Sequence, residues 1–183
     1  MKLFITRHGE TDCNVNHIIS GTVEAMLTVT GKNQAKELAE RLVKDKEKNN
    51  IKTIYVSPLL RARKTAEYIE KALGLAAIVD NRIKEIDFGK FEGTKWPSEE
   101  FLKIRDNPFV RFPEGESLAI GAHRAYSLIE EVKTKHKHDD GNVLFVCHGL
   151  ITAVMLTYFK NISQEEFHEL RIGNCDLFEF DLF

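Results

Sequence analysis

Short apolar runs alternate with amphipathic helical patterns along this chain, and this alternation restricts its fold more than any other feature. The runs with strand-forming character cover residues 2–6, 51–56, 76–79, 142–147 and 175–182. The fourth of them, NVLFVC, is nearly continuous in apolar residues, as is typical of a central strand covered on both faces. The order of the patterns predicts an α/β protein with a mostly parallel central sheet flanked by helices.

Helical periodicity occupies the stretches between these runs. From Thr30 to Lys48, apolar residues recur at the spacing of one buried helical stripe, which predicts a single helix. Ser57 and Pro58 have the residue types of an N-cap and a first helical position, and Gly74 is a typical helix end. Further helices are predicted at 98–106, 117–137 and 150–159.

The region at about 94–116 is less regular than its surroundings. Pro97, Pro108 and Pro113 interrupt it around one modest helix. We interpret it as a short cap-like insertion within a single domain that spans residues 1–183. A chain of 183 residues is long enough to bury one sizeable core, and neither a repeat nor a linker divides it.

Composition and charge exclude several classes of protein. The formal net charge of -2 provides no basis for binding nucleic acid. Cys13, Cys147 and Cys175 are an odd number without CxxC spacing, which argues against a disulfide framework and against structural zinc. Because we find neither a signal peptide nor an apolar run of the ~20 residues that span a bilayer, we expect a cytoplasmic protein without a membrane partner. The oligomeric state stays open.

Charged and polar residues follow the predicted strands where each strand ends. Arg7 and His8 follow the first strand, and His148 and Gly149 follow the NVLFVC strand. Arg61 lies in the first turn of the helix after the second strand, where a cation is unfavourable unless an anion lies beside it. Ligands bind outside the carboxyl ends of the strands in open α/β sheets, so these side chains are candidates for one site.

A carboxyl group is also expected at that site, because Glu85 and Asp87 follow the short third strand. If these strand ends converge, one cleft contains two histidines, two arginines, a carboxyl group and helix N-termini. Such a cleft suits a phosphoryl group, which requires cations on its oxygens, a nucleophile in line and an acid for the leaving oxygen.

The ordered set of motifs resembles the histidine phosphatase superfamily, in its phosphoglycerate-mutase-like branch. The matching segments are Arg7-His8-Gly9-Glu10-Thr11 with Asn14, Leu27-Thr28 with Gly31, Gln34 and Ala35, Ser57-Pro58-Leu59 with Arg61-Ala62 and Thr65-Ala66, Glu85 with Phe88-Gly89 and Glu92-Gly93, Gly115-Glu116-Ser117, and His148-Gly149. The chain departs from the family pattern at Cys13, at Ala25-Met26 and at Thr152. The resemblance implies a three-layer sandwich with a short helical cap.

The resemblance also implies a role for each matching residue. His8 is expected to become the phosphohistidine, and Glu85 to exchange protons with the leaving group and the attacking water. Asp87, two residues further along the same loop, is the rival acid, and Glu85 is preferred to it. The expected phosphate-binding residues are Arg7, His8, Asn14, Arg61, His148 and Gly149.

Several functions are compatible with these residues. A metal-independent phosphomonoesterase acting on a small phosphorylated metabolite is the first, and a phosphoglycerate mutase is the second. The insertion between Gly93 and Ser117 is short and Phe183 closes the last strand, so we expect an open site in which water reaches the intermediate. An inactive phospho-ligand binding module and a metallohydrolase with His8 and His148 as ligands are further alternatives. We expect no metal and no cofactor.

Overall fold

The computed structural model describes residues 1–96 and 98–183, so Pro97, which we expected to interrupt the cap, lies outside the described residues. The strands are β1 (Lys2–Arg7), β2 (Ile51–Val56), β3 (Ala77–Val79), β4 (Asn142–Cys147) and β5 (Leu177–Asp181). They form one sheet in the order β3-β2-β4-β1-β5. Only the edge strand β5 runs antiparallel to its neighbour, so the predicted mostly parallel α/β sheet is confirmed.

Helices cover both faces of this sheet. They are α1 (Asp12–Val15), α2 (Val29–Lys44), α3 (Lys46–Asn49), α4 (Leu60–Leu73), α5 (Glu99–Arg105), α6 (Leu118–Lys135), α7 (Gly149–Phe159) and α8 (Gln164–Glu169). Helices α2 and α4 pack on one face, and α6 and α7 pack on the other. Among the described residues, no helix combines the length and the apolarity needed to cross a bilayer.

The central position of β4 explains its apolar sequence. Leu144 and Val146 belong to the core beneath α2 and α4, whereas Val143 and Phe145 belong to the core beneath α6 and α7. Successive side chains of a strand point to opposite faces, so a strand between two helical layers must be apolar at nearly every position. The same placement positions the residue after β4 at the middle of the carboxyl edge of the sheet.

The single helix predicted from Thr30 to Lys48 is two helices in the structure. Helix α2 ends at Lys44, and α3 follows after Asp45. Val43 is already 41% exposed, and the residues from 44 to 48 are all exposed. Since most helical stability in proteins comes from packing an apolar face, nothing holds this charged segment on the axis of α2.

The predicted cap of α4 is wrong. Helix α4 begins at Leu60, its N-cap is Leu59, and no side chain caps it. Ser57 lies before the helix, and its hydroxyl contacts His148 instead. The sequence pattern of serine followed by proline is therefore used here for a tertiary contact rather than for a cap.

Helix α8 was missed by the sequence analysis, although its signal was present. Ser163 and Glu166 form a capping box, the serine-x-x-glutamate pattern that marks a helix start. In the insertion, α5 is held by an aromatic cluster. Phe101 and Phe112 are fully buried, with ring centroids 5.0 Å apart, and both rings lie about 5 Å from the ring of Phe88.

Candidate active site

The carboxyl ends of β1 and β4 bring two of the predicted histidines together. Arg7 pairs in register with Cys147, and the backbone N–H of His8 donates to the carbonyl of Cys147 over 3.0 Å. His8 and His148 thus follow neighbouring parallel strands at the same edge. Their rings meet edge to face, with centroids 5.2 Å apart.

The hydrogen bonds of the His8 ring determine which of its nitrogens carries the proton. Nδ1 lies 2.7 Å from the carbonyl oxygen of Gly9, which can only accept, so Nδ1 donates. Burial, together with the positive charges of Arg7 and Arg61, lowers the pKa of His8 well below its ordinary value. The ring is therefore neutral near pH 7, and its lone pair is on Nε2.

Arg61 lies in the first turn of α4 and is almost completely buried. Its Nε donates to Nε2 of His8 over 3.2 Å. The other guanidinium nitrogens donate to the carbonyl oxygens of Ser20, Gly21 and Val23 at 2.7–3.0 Å. Burial lowers the pKa of Arg61, and this side chain links His8 to the loop that precedes α2.

Arg7, at the end of β1, is only partly satisfied. Its Nη1 donates to the carbonyl of Ile172 over 2.6 Å, whereas its buried Nε has no hydrogen-bond partner among the described residues. Gly149 approaches the guanidinium, since a Cβ placed on this glycine would lie 3.5 Å from Nε. A buried N–H donor without a partner is unfavourable and marks a position where a ligand atom can bind.

His148 also has a buried nitrogen without a hydrogen-bond partner among the described residues. Its Nε2 lies 2.6 Å from the hydroxyl of Ser57, and its buried Nδ1 has no partner among the described residues. Burial, followed by the positive charge of Arg61, lowers the pKa of His148 well below its ordinary value. The site thus contains two buried, neutral histidines beside the buried Arg61 and the partly buried Arg7.

The carboxylate of Glu85 lies at the N-terminus of α7. It accepts hydrogen bonds from the backbone N–H groups of Ile86, Leu150 and Ile151, each at 2.9 Å. These three donors and the helix dipole fix its position. Asp87 is held differently, because its carboxylate accepts from the backbone N–H of Gly89 in its own loop.

Asn14 belongs to α1, a single turn directly after the first motif. Its Oδ1 accepts from the backbone N–H of Thr11, which completes a capping box. The same oxygen lies 3.4 Å from the side-chain nitrogen of Asn174, and Asn174 donates to the carbonyl of His8 over 2.9 Å. Asn174 was missed by the sequence analysis, since no motif surrounds it.

A cavity of about 400 Å³ lies against these residues. Arg7, Asn14, Glu85 and Gly149 line it, while His8, Arg61 and His148 are buried beside it, with exposures of 3%, 1% and 0%. The outer wall adds residues that the sequence analysis did not assign, among them His17, Ser20, Trp96, Arg105, Leu170 and Arg171. In the described part of the chain, no three His, Cys, Asp or Glu side chains are grouped so that they could hold a metal ion.

A family model of the histidine phosphatase superfamily (branch 1) matches residues 3–182. The chain belongs to this superfamily. The resemblance seen in the sequence motifs is thereby confirmed, and a histidine phosphatase fold accounts for the sheet and its flanking helices.

Relatives in the histidine phosphatase superfamily cover nearly the whole chain. Phosphoserine phosphatase 1 of Hydrogenobacter thermophilus is 33% identical over 183 residues, which are 96% of this chain and 83% of that protein. The probable phosphoglycerate mutase GpmB of Proteus mirabilis is 30% identical over 188 residues, which are 99% of this chain and 85% of that protein. A solved mycobacterial glucosyl-3-phosphoglycerate phosphatase superposes with a TM-score of 0.84 at 27% identity, over 97% of this chain and 88% of the other.

The structure of this superfamily member brings together the side chains that the sequence analysis grouped. Arg7, His8, Arg61 and His148 contact one another directly or through one intervening residue. Glu85 lies on the wall of the adjoining cavity. Sequence reasoning assigned Ser57 to the cap of α4, whereas its hydroxyl contacts His148.

Proposed function

We propose that this protein is a metal-independent phosphomonoesterase that hydrolyses a small phosphorylated metabolite through a phosphohistidine on Nε2 of His8. The observation that carries the proposal is the hydrogen bond from Nδ1 of His8 to the carbonyl of Gly9. It leaves a neutral ring whose lone pair is on Nε2, and a neutral imidazole is the nucleophilic form.

In the first half-reaction, the lone pair on Nε2 of His8 forms a bond to phosphorus while the phosphorus–oxygen ester bond breaks. The N–H of Arg61 donates to this lone pair in the free protein, so an arriving phosphoryl group must displace it. The displaced donor is then available to a phosphoryl oxygen. Attack and anion binding are thus coupled through one guanidinium.

The unsatisfied donors support the binding of a phosphoryl group beside His8. Nε of Arg7 is a buried N–H without a partner among the described residues, and a phosphoryl oxygen is the kind of acceptor that it lacks. Arg61 and His148 complete the set of donors. Asn14 contributes a neutral amide from the cavity wall, which Gly149 also lines.

Glu85 is the proton donor and acceptor in this scheme. In its protonated form it gives a proton to the departing alkoxide, and the resulting carboxylate then takes a proton from water as water attacks phosphorus. The nitrogen–phosphorus bond breaks, and inorganic phosphate leaves. The position of Glu85 on the cavity wall supports this assignment over Asp87, whose carboxylate binds within its own loop.

The similarity to GpmB supports phosphoglycerate mutase activity as a second candidate. A mutase returns the phosphoryl group to the retained organic intermediate, whereas a phosphatase transfers it to water. His17 and Arg171 are exposed residues on the cavity wall, and this access of solvent favours hydrolysis. Incubation with 3-phosphoglycerate distinguishes the two, because a phosphatase releases inorganic phosphate and a mutase yields the isomeric phosphoglycerate.

The substrate is to be sought among small phosphomonoesters. Relatives are named as phosphoserine and glucosyl-3-phosphoglycerate phosphatases, and Arg105 and Arg171 line the same cavity as Glu85. A panel of phosphoserine, phosphoglycerates, sugar phosphates, ribazole phosphate and nucleotide-derived phosphates, scored by kcat/KM, identifies the class. We expect activity without added metal and in the presence of a chelator.

Trapping of the intermediate tests the mechanism. Brief incubation with a ³²P-labelled phosphomonoester, followed by denaturing quench, is expected to leave an acid-labile label on the protein. His8→Ala removes both the label and the activity. His138→Ala is the matched control, because His138 is an exposed histidine that precedes β4, at the end of the strand opposite to His148. Label and activity that persist in His8→Ala refute the proposed nucleophile.

A further inference from the structure

Ser57 and His148 form a buried pair that the proposed reaction does not explain. Both residues are fully buried, and the serine hydroxyl lies 2.6 Å from Nε2 of the imidazole. Ser57 is the first residue after β2, and His148 is the first residue after β4. Because β2 and β4 are parallel neighbours, the sheet itself fixes the distance between the two side chains.

Two assignments of the protons are possible for this pair. In one, the hydroxyl of Ser57 donates to Nε2, and the imidazole proton is on Nδ1. In the other, Nε2 carries the proton and donates to the hydroxyl oxygen. Burial and the neighbouring charge of Arg61 lower the pKa of His148, so the doubly protonated ring is disfavoured.

The two assignments differ in how many buried polar groups they leave without a hydrogen bond. The oxygen of Ser57 already accepts a long bond from the backbone N–H of Leu59, at 3.3 Å. If the hydroxyl donates to Nε2, only Nδ1 of His148 is unsatisfied within the described residues. If Nε2 donates instead, the hydroxyl hydrogen and Nδ1 are both buried without partners. Each additional buried polar group without a hydrogen bond destabilises the folded protein, so the first assignment is favoured.

We propose that Ser57 is a positioning residue that holds His148 as the tautomer protonated on Nδ1, so that this N–H is a neutral donor to a phosphoryl oxygen. The function of the donor rests on the proposed phosphatase reaction, but the tautomer does not. The hydroxyl acts only through His148. An Nδ1 that lacked its proton would present a lone pair to an anion and would repel it.

Nitrogen NMR of the histidine side chains tests the tautomer in the protein without substrate. With ¹⁵N-labelled histidine at pH 7.5, the signals of His148 are identified by their loss in His148→Gln. We expect a protonated Nδ1 and an unprotonated Nε2 in the unchanged protein. We expect a shift toward the Nε2-protonated tautomer in Ser57→Ala, and the original tautomer in Ser57→Thr, which restores a hydroxyl.

Kinetics supply the second readout. Removal of one preorganised donor lowers kcat about 100- to 1000-fold, and loss of the hydroxyl only releases the tautomer that supplies the donor, so a smaller fall in kcat, about 10- to 100-fold with little change in KM, follows. We expect this loss in Ser57→Ala and recovery of most of it in Ser57→Thr. Thr152→Val is the control, because it also removes a buried hydroxyl, one whose partner is the sulfur of Cys147 rather than a histidine.

The outcomes separate this inference from the proposed function. An Nε2-protonated His148 in the unchanged protein, or an unaltered tautomer in Ser57→Ala, overturns the role of Ser57 whatever the activity. Failure to trap a phosphohistidine on His8 overturns the proposed reaction and leaves the tautomer measurement intact. A loss of kcat in Thr152→Val equal to that in Ser57→Ala also counts against the inference, because it indicates a merely structural effect.

Discussion

Nε of Arg61 donates a hydrogen bond to Nε2 of His8 over 3.2 Å, so the atom proposed as nucleophile is already occupied in the free protein. The same guanidinium binds carbonyl oxygens of Ser20, Gly21 and Val23. One side chain therefore connects the nucleophile, the first turn of α4 and the loop before α2. The guanidinium makes all these contacts at the same time because its donors are fixed in one plane.

Replacement of Arg61 by lysine is expected to lower kcat/KM about 100- to 1000-fold, the range for loss of one preorganised donor in the transition state. Lysine keeps the charge but has three donors instead of five, and it cannot hold the nucleophile and three carbonyls together. Amide hydrogen exchange in residues 20–23 is expected to accelerate in the same variant. Arg63→Lys, two positions along α4, is the control, and equal losses in both variants contradict the assignment.

Glu85→Gln is expected to slow the first turnover of an alkyl phosphomonoester by about 10²- to 10⁴-fold, the typical contribution of a general acid. The first turnover of p-nitrophenyl phosphate is expected to slow much less, because nitrophenolate leaves without a proton. Rapid-quench measurement of both substrates in one variant removes any effect of stability from the comparison.

Asp87→Asn is the matched control for Glu85→Gln, since it makes the same chemical change in the same loop. Its carboxylate binds the backbone N–H of Gly89, so we expect a small effect that does not depend on the leaving group. A dependence on the leaving group in Asp87→Asn, and none in Glu85→Gln, assigns the acid to Asp87 instead.

Acidification is expected to destabilise the protein through its two buried histidines. The pKa of His8 is lowered by burial and by Arg7, and the pKa of His148 by burial and by Arg61. Below about pH 6.5 the unfolded chain binds protons at both rings and the folded protein does not. The free energy of unfolding therefore falls as pH falls, by at most about 1.4 kcal/mol per pH unit for each ring.

Urea unfolding at pH 7.5, 6.5 and 5.5 measures this loss above the range in which carboxylates titrate. His148→Gln is expected to show a shallower dependence on pH, because one of the two rings is absent. The expectation fails if the two proteins lose the same free energy of unfolding between pH 6.5 and 5.5.

Gly31→Ala is expected to destabilise the protein by about 1–3 kcal/mol, the range for overpacking. Gly31 lies in the first turn of α2, and a Cβ there would overlap the backbone carbonyl of Glu10. At Gly149 a Cβ meets Arg7 at an ordinary contact distance of 3.5 Å. For Gly149→Ala we expect the free energy of unfolding to change by less than about 0.5 kcal/mol. Thermal unfolding of both variants gives the comparison as shifts in Tm. A larger shift in Gly149→Ala than in Gly31→Ala contradicts the packing argument.

The alternation of apolar runs and helical stripes was enough to predict an α/β fold with a mostly parallel sheet. It depends on local periodicity, which a sequence displays directly. The motifs likewise grouped Arg7, His8, Arg61 and His148, which the structure brings together, because each lies at a strand end or in the first turn of a helix. Element boundaries were less accurate. The break at Asp45 depends on where the core ends, and local pattern does not contain that information.

Contacts between distant segments were decided by the tertiary structure alone. The strand order β3-β2-β4-β1-β5 brings the ends of β2 and β4 together, so the hydroxyl of Ser57 meets His148 instead of capping α4. The same folding places Glu85 on the backbone N–H groups of Leu150 and Ile151, 65 and 66 residues away. Residue types and their spacing specify which groups are present. Which of them become partners is set by the packing of elements far apart in the chain, because a hydrogen bond forms only where the fold brings donor and acceptor within about 3 Å of each other.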